Sequence, residues 1–157
     1  MFSIRNLTRA ELPRLPYANI ARRVLGKKIA PDTISLTFIG SRRSRELNRL
    51  YRQKDKPANI LTFSLTIPLM ESNSNEGEIL IDLTTSRLEA KHLEVPLANY
   101  LRHLFIHGLL HLKGLSHGSR METLERRNIK FFSHFHYGQN HCHRSRRRHN
   151  VGQSRSL

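Results

Sequence analysis

The chain has 157 residues, of which 38% are hydrophobic, and its 27 Lys and Arg against 12 Asp and Glu give a net charge of +15. The single cysteine excludes an internal disulfide framework, and the length leaves no room for a second catalytic domain. No run approaches the ~20 apolar residues that span a membrane, and no secretion signal is evident, so we expect a cytoplasmic protein. Basic charge alone leaves RNA, DNA and acidic membrane surfaces open as partners, and we favour RNA.

The first half of the chain alternates helical and extended patterns. Its predicted elements are a helix from Tyr17 to Gly26, a strand from Ile34 to Ile39, a helix from Ser44 to Gln53, and two strands from Ile60 to Leu65 and Glu78 to Leu83. The polar stretch from Glu71 to Gly77 is predicted to be a surface loop between the last two strands.

The second half is predicted to be helical, with helices from Ser86 to Leu93, from Leu97 to Leu112 and from Met121 to Phe132. The segment from Leu97 to Leu112 is apolar nearly all round, which is typical of a buried helix. We therefore predict an α+β fold, in which a small mixed β-sheet packs with about five helices around one buried central helix.

The composition changes at Ser133, after which histidines and arginines dominate and no acidic residue follows. We expect residues 1–132 to form a single domain and residues 133–157 to form a disordered basic tail. This tail is either an electrostatic arm that lies along RNA or a solvated terminus without a role. A second metal site from His141, Cys142 and His143 is disfavoured, because adjacent residues in a flexible segment lack fixed geometry.

Three histidines form the most specific pattern of the chain: His107, His111 and His117. Residues four apart lie on the same face of a helix, so His107 and His111 project side by side. Gly114 is a natural helix stop, after which the chain can fold back and bring His117 to the other two. Three imidazoles that bind one divalent ion leave a position open, as in catalytic zinc sites. The pattern therefore predicts one zinc ion per chain.

Two other interpretations of these histidines remain. Histidines in an apolar helix can be core residues with satisfied ring nitrogens, although three with a glycine turn are unusual there. The spacing also matches the metzincin protease pattern H-E-x-x-H-x-x-G-x-x-H, except that Gly108 stands where proteases have their general base, which argues against peptide hydrolysis. His103, one turn before His107, is either a core histidine or a residue that supports the ligands.

The motif His107-Gly108-x-x-His111-Leu112-x-Gly114-x-x-His117 resembles the signature of the YbeY family of bacterial metal-dependent endoribonucleases. A second block, residues 47–64, resembles the family's L-N-x-x-Y-R-x-K-D-x-P-T-[DN]-V-L-S-F-P, and residues 76–79 resemble its G-D-I segment. Together the blocks cover roughly residues 34 to 130. Two positions depart from the pattern, since Ser116 stands where the family usually has Asp and Ala58 where it usually has Thr.

The resemblance implies a single-strand-specific endoribonuclease that acts in ribosomal RNA processing, with ribosomal subunit proteins as candidate partners. A zinc ion held by three histidines would either activate water or polarise a phosphate oxygen while the RNA 2′-hydroxyl attacks, and both routes stay open. The alternative is an RNA-binding factor in ribosome assembly whose metal is mainly structural. Ser116 could replace the usual Asp only as a weaker neutral partner.

Arg52 is the predicted catalytic residue, because it stands at the arginine of the family's Y-R-x-K-D segment, which is implicated in activity. A guanidinium opposite the metal would stabilise negative charge on the phosphorane with two parallel hydrogen bonds. The alternative is a solvated helix arginine. Lys54 and Lys56 are predicted to position phosphates, and Asp55 to fix a loop or pair with a lysine rather than bind metal.

Overall fold

The computed structural model describes residues 2–26, 33–65 and 76–139, which form four strands and five helices. In chain order these are β1 (Ser3–Asn6), α1 (Tyr17–Leu25), β2 (Ile34–Ile39), α2 (Ser41–Arg52), β3 (Ile60–Leu65), β4 (Glu76–Asp82), α3 (Leu83–His92), α4 (Leu97–Leu112) and α5 (Ser119–Gln139). The predicted α+β class, with a mixed sheet and a central helix that carries histidines, is confirmed.

The strands in this part of the chain form one sheet in the order β1-β2-β4-β3. β1, β2 and β4 are parallel to one another, whereas β3 runs antiparallel to β4. Sequence analysis missed β1, because this four-residue edge strand has no alternating apolar pattern. β4 begins at Glu76 instead of Glu78, and Gly77 pairs with Ile34, so the end of the predicted loop is strand. Residues 71–75 of that loop lie outside the described residues.

α4 lies at the centre of the core, as its composition predicted. Leu101, Phe105, Ile106 and Leu109 are fully buried on this helix, which packs against α1, α3, α5 and the sheet. The ring of Tyr17 on α1 meets Phe105 edge-on, with 5.3 Å between the ring centroids. Because α4 is fixed on several sides, the histidines at its C-terminal end have a rigid support.

α2 and α3 each begin three residues earlier than predicted. α3 starts at Leu83 instead of Ser86, because the Asp82 carboxylate caps it by accepting hydrogen bonds from the backbone N–H groups of Thr84 and Thr85. α2 starts at Ser41 instead of Ser44. The Ser41 hydroxyl donates to the same Asp82 carboxylate at 3.1 Å, so this buried aspartate ties the starts of both helices together.

Side-chain hydrogen bonds fix the segment between α2 and β3. The Ser44 hydroxyl donates to the backbone oxygen of Ala58 at 2.7 Å and accepts from its N–H at 2.9 Å. The Asn48 amide donates to the backbone oxygen of Lys56 at 2.7 Å. α2 is followed by Gln53, which caps the helix with a left-handed φ of 57°. These contacts hold the end of α2, which carries Arg52, beside the edge strand β3.

α5 runs from Ser119 to Gln139, which is longer than the predicted helix from Met121 to Phe132. Its last residues belong to the segment assigned to the basic tail, and the remainder of that segment, 140–157, lies outside the described residues. Among the residues that the structure describes, no helix has the length and apolar character needed to cross a membrane.

Candidate metal centre

The structure brings His107, His111 and His117 together. The ring centroids of His111 lie 4.7 Å from those of both other histidines, and the His107 and His117 centroids are 5.2 Å apart. One ring nitrogen of each residue lies within 4.8 Å of the other two, so the three can hold one metal ion.

A Schellman motif at the end of α4 returns the chain towards these rings. The N–H of Gly114 donates to the carbonyl of His111 at 2.8 Å, and the N–H of Leu115 donates to the carbonyl of Leu110 at 3.1 Å. Gly114 has a φ of 81°, which a residue with a side chain adopts only with strain. The predicted role of Gly114 as the stop that places His117 is thereby confirmed.

The hydrogen bonds of the two helical histidines fix their tautomers. Nδ1 of His111 lies 3.0 Å from the carbonyl oxygen of Leu115, and Nδ1 of His107 lies 3.0 Å from Oε1 of Glu125. Since a carbonyl oxygen and a carboxylate can only accept, each Nδ1 carries the proton and donates. Each Nε2 therefore has a lone pair when its ring is neutral.

The two Nε2 atoms face each other at 3.0 Å. Burial, and secondarily the neighbouring His107, lower the pKa of His111, which favours its neutral form. Two lone pairs at this distance repel each other unless a proton on His107 or a cation lies between them. With His117 as a third ring at the same point, these residues fit a divalent metal ion.

An open cleft of about 610 Å³ gives access to the histidines. His107 and His111 are half-buried, and His117 is exposed. The cleft lies between the end of α4, the edge strand β3 and the end of α2, and it is lined by Arg52, Lys54, Thr62, Ser64, His111, Leu112 and His117. Such a cleft leaves one side of the histidine cluster accessible to a substrate.

Arg52, the predicted catalytic residue, lines this cleft, and its charge is among the lesser causes that lower the pKa of His111. Within the part of the chain that the structure describes, no hydrogen bond or ion pair holds its guanidinium. Lys54 also lines the cleft, whereas Lys56 does not. The guanidinium of Arg52 is thus available to an anion bound beside the histidines.

Asp55 pairs with an arginine, where a loop contact or a lysine partner was expected. The Arg45 Nε and Nη2 atoms donate to its two carboxylate oxygens, each at 2.8 Å. The hydrogen bond from Arg45 lowers the pKa of the Asp55 carboxyl. This exposed ion pair joins α2 to the segment that follows it. Asp55 is therefore paired with Arg45 and is not part of the histidine cluster.

Glu125 on α5 is the site residue that sequence analysis missed. Its Oε1 accepts from Nδ1 of His107 and lies 3.0 Å from Nε2 of His103. The side chain of His103 is 48% exposed, so the interpretation of His103 as a core residue is wrong. Glu125 orients the His107 ring, and His103 in turn contacts Glu125.

Groups other than Ser116 accept the hydrogen bonds of the histidine rings. Ser116 is exposed and forms no hydrogen bond to the histidines in the described residues. The carbonyl of Leu115 and the carboxylate of Glu125 accept from the rings instead. His103, His107 and Glu125 also form a group that could hold a metal ion, but this group uses the same Glu125 oxygen that already binds both rings.

Gly108 faces the sheet, away from the cleft. A Cβ atom at this position would lie 3.0 Å from Cδ1 of Ile60 and 3.2 Å from two carbons of Ile79. A glutamate at position 108 would therefore enter the core and could not reach a substrate beside the histidines. This close packing gives a physical reason for the departure from the metzincin pattern.

We predict that Gly108→Glu lowers the free energy of unfolding by more than about 3 kcal/mol, because it buries an unpaired carboxylate and crowds two isoleucines. Gly108→Ala is the matched control. Its better helix propensity should offset part of the crowding, so that the free energy of unfolding falls by only about 1 kcal/mol. Urea denaturation of both variants measures the difference. Equal stability of Gly108→Glu and the wild type would contradict this packing.

Comparison with known proteins extends the resemblance seen in the sequence. The family model described as Endoribonuclease YbeY matches residues 4–134. A curated Endoribonuclease YbeY of Colwellia psychrerythraea is 34% identical over 97 residues, which cover 62% of this chain and 63% of that protein. One of Sinorhizobium fredii is 37% identical over 105 residues, which cover 62% of this chain and 60% of that protein. The chain thus spans less than two thirds of the length of these relatives.

The fold also matches a solved structure. A Thermotoga maritima protein, known from a solution structure, aligns with a TM-score of 0.59 over 94% of this chain and all of its own length. At 17% identity, this likeness supports the fold alone. Since the family model covers most of the sequence, from residue 4 to residue 134, the chain belongs to the YbeY family.

Proposed function

We propose that this protein is a zinc-dependent endoribonuclease that cuts single-stranded RNA during ribosomal RNA processing in the cytoplasm. The observation that carries this proposal is the convergence of three imidazoles in an open cleft, with the Nε2 atoms of His107 and His111 facing each other at 3.0 Å. The family supports a nuclease, and the net charge of +15 suits an RNA substrate. Ribosomal subunit proteins are proposed as partners on the resemblance alone.

We assign some residues at the cleft to binding of the ion and the RNA, and others to orienting the histidine rings. His107, His111 and His117 would hold the ion, while Glu125 and the Leu115 carbonyl keep two of the rings in the required tautomer. When bound, a divalent ion supplies Lewis acidity, which lowers the pKa of a water to about 7 or polarises a phosphate oxygen. Arg52 would donate to the phosphate that reacts, and Lys54 would position a neighbouring phosphate.

The second candidate function is an RNA-binding assembly factor with a mainly structural metal. One observation favours it: the lining of the cleft contains no carboxylate in the part of the chain that the structure describes, so no general base of that type faces the cleft, and Glu125 is engaged by the rings of His107 and His103. The two candidates differ in one measurement, which is cleavage of RNA by the metal-loaded protein.

We also infer a division of the chain in which residues 1–132 form the catalytic domain and residues 133–157 form a basic segment that binds RNA. A protein truncated after Gln139, the last residue of α5, should keep cleavage, but its affinity for RNA should depend less steeply on salt, because it lacks the arginines of residues 140–157.

The test of the proposed function uses the full chain stripped of metal with a chelator and then reloaded with one equivalent of Zn²⁺. Cleavage of a labelled single-stranded ribosomal RNA fragment should appear only after reloading, and the same fragment annealed to its complement should resist. Stoichiometric metal without cleavage would support the assembly factor, and failure to bind metal would overturn the three-histidine site.

We predict that Glu125→Ala lowers zinc affinity by about 10- to 100-fold, because the His107 ring loses the acceptor that orients it. Glu125→Gln should lower zinc affinity less than Glu125→Ala does, since the amide oxygen of glutamine can still accept a hydrogen bond from the His107 ring. Competition with a chromophoric chelator measures both affinities, and Glu122→Gln on the exposed side of the same helix is the control. Unchanged affinity in Glu125→Ala would show that this carboxylate does not support the site.

A further inference from the structure

A second cleft, of about 440 Å³, lies on the face of the sheet opposite α4. Side chains alternate along a strand, so Phe63 of β3 points to this face while its neighbours Thr62 and Ser64 line the histidine cleft. On α2, Tyr51 lines the second cleft and the next residue, Arg52, lines the first. The two clefts therefore lie on either side of the edge strand β3 and the end of α2.

Two aromatic rings form one wall of the second cleft. The rings of Tyr51 and Phe63 meet edge-on, with centroids 4.9 Å apart and an interplanar angle of 67°. Tyr51 is 61% exposed, although an aromatic ring of this size gains free energy from burial. An exposed aromatic ring in a groove beside basic residues is the feature on which proteins stack unpaired nucleobases.

The basic residues of the second cleft are exposed, whereas its acidic residue is half-buried. Arg5 and Arg43 are exposed and can contact phosphates at the surface. The floor carries Glu78, which is half-buried and accepts a hydrogen bond from the Thr37 hydroxyl at 3.3 Å. A carboxylate repels a phosphate but accepts from the N–H groups of a base, so this arrangement favours a base over the floor and phosphates near the arginines.

We propose that this second cleft binds an unpaired nucleobase of the RNA whose backbone reaches the histidine cleft around the edge strand β3. The proposal rests on the proposed function, because it assigns a second contact to the same single-stranded substrate. An apolar protein segment fits the cleft less well, since it would remove water from Arg5, Arg43 and Glu78 and offer no polar group in its place. The stacked base holds the strand in place while a neighbouring phosphodiester lies beside the histidines.

The test compares two labelled single-stranded oligoribonucleotides, one complete and one with abasic positions on the same backbone. Binding is measured by fluorescence anisotropy at one salt concentration, with a chelator present so that no cleavage occurs. The wild-type protein should bind the abasic strand about tenfold more weakly, which is the usual scale for one stacked base.

Variants of Tyr51 test whether this residue causes the difference in affinity between the two strands. Tyr51→Ala should bind the complete strand about tenfold more weakly and the abasic strand as the wild type does, so that the difference between the strands disappears. Tyr51→Leu preserves apolar bulk against Phe63 and should show the same loss, whereas Tyr51→Phe should keep the difference. Leu50→Ala is the matched control, because Leu50 is 70% exposed on the same helix but does not line the cleft.

Equal affinity of the wild-type protein for both strands would overturn the proposal, and so would a loss in Tyr51→Ala that is equal for both strands. Either result leaves the proposed function intact if the zinc-loaded wild type still cleaves RNA. A protein that neither binds nor cleaves single-stranded RNA would overturn both.

Discussion

His111→Ala should reduce RNA cleavage to below about 1% of the wild-type rate while RNA affinity changes by less than about twofold. Loss of a residue that only supports a metal ligand already costs about 10- to 100-fold, and loss of a ligand itself should cost more. Affinity should persist because it depends on the many basic groups that contact phosphates, not on one half-buried ring. Cleavage and binding are measured on the same labelled single-stranded RNA at one salt concentration.

His92→Ala is the matched control for this variant, because His92 is an exposed histidine at the end of α3, away from the cleft. It should cleave as the wild type does. Zinc content should fall in His111→Ala and stay at one ion per chain in His92→Ala. A His111→Ala protein that is unfolded and has lost RNA binding together with metal would support the structural-metal alternative.

The local part of the site was predictable from sequence. Helical spacing alone places His107 and His111 on one face, and a glycine three residues later ends the helix in the left-handed conformation that returns His117. These contacts involve residues that are close in the chain, so periodicity and turn chemistry are sufficient to predict them. The buried character of α4 followed from its composition in the same way.

The contacts between distant segments were not predictable in the same way. Glu125 lies on α5, 18 residues after His107, and only the packing of α5 against α4 brings the two together. The one available signal was weak: an acidic residue on a helix that follows the histidines. Arg52 was found through the resemblance alone, since nothing in its local sequence distinguishes it from the other arginines of α2. The edge strand β1 was missed for a related reason, because it is identified by its pairing with β2.

The two faces of β3 show what the fold adds to the motif. Residues 47–64 resemble the family as one continuous block, whereas the alternation of the strand sends Thr62 to the histidine cleft and Phe63 to the opposite face. Tyr51 and Arg52 divide between the two clefts in the same way. One short block can thus contribute both to chemistry and to the positioning of a substrate.

Arg52→Ala should lower the rate of RNA cleavage by about 10²- to 10³-fold, which is the usual cost of removing one group that stabilises charge in a transition state. Zinc content should not change, because Arg52 lines the cleft without being part of the histidine cluster. Single-turnover cleavage is measured with the protein in excess over RNA and above the Kd of the complex, so that all the RNA is bound. This separates the effect on the cleavage rate from binding, since loss of one phosphate contact alone would weaken affinity without slowing the bound complex.

The substitution of Arg52 by lysine decides between the two roles of the arginine. A lysine keeps the charge but lacks the planar pair of donors, so Arg52→Lys should recover RNA affinity fully and the cleavage rate only in part. Arg49→Ala, on the same helix but outside the lining of the cleft, is the control and should leave the rate unchanged. If Arg52→Ala cleaves at the wild-type rate once all the RNA is bound, Arg52 is a solvated helix arginine and does not stabilise charge in the transition state.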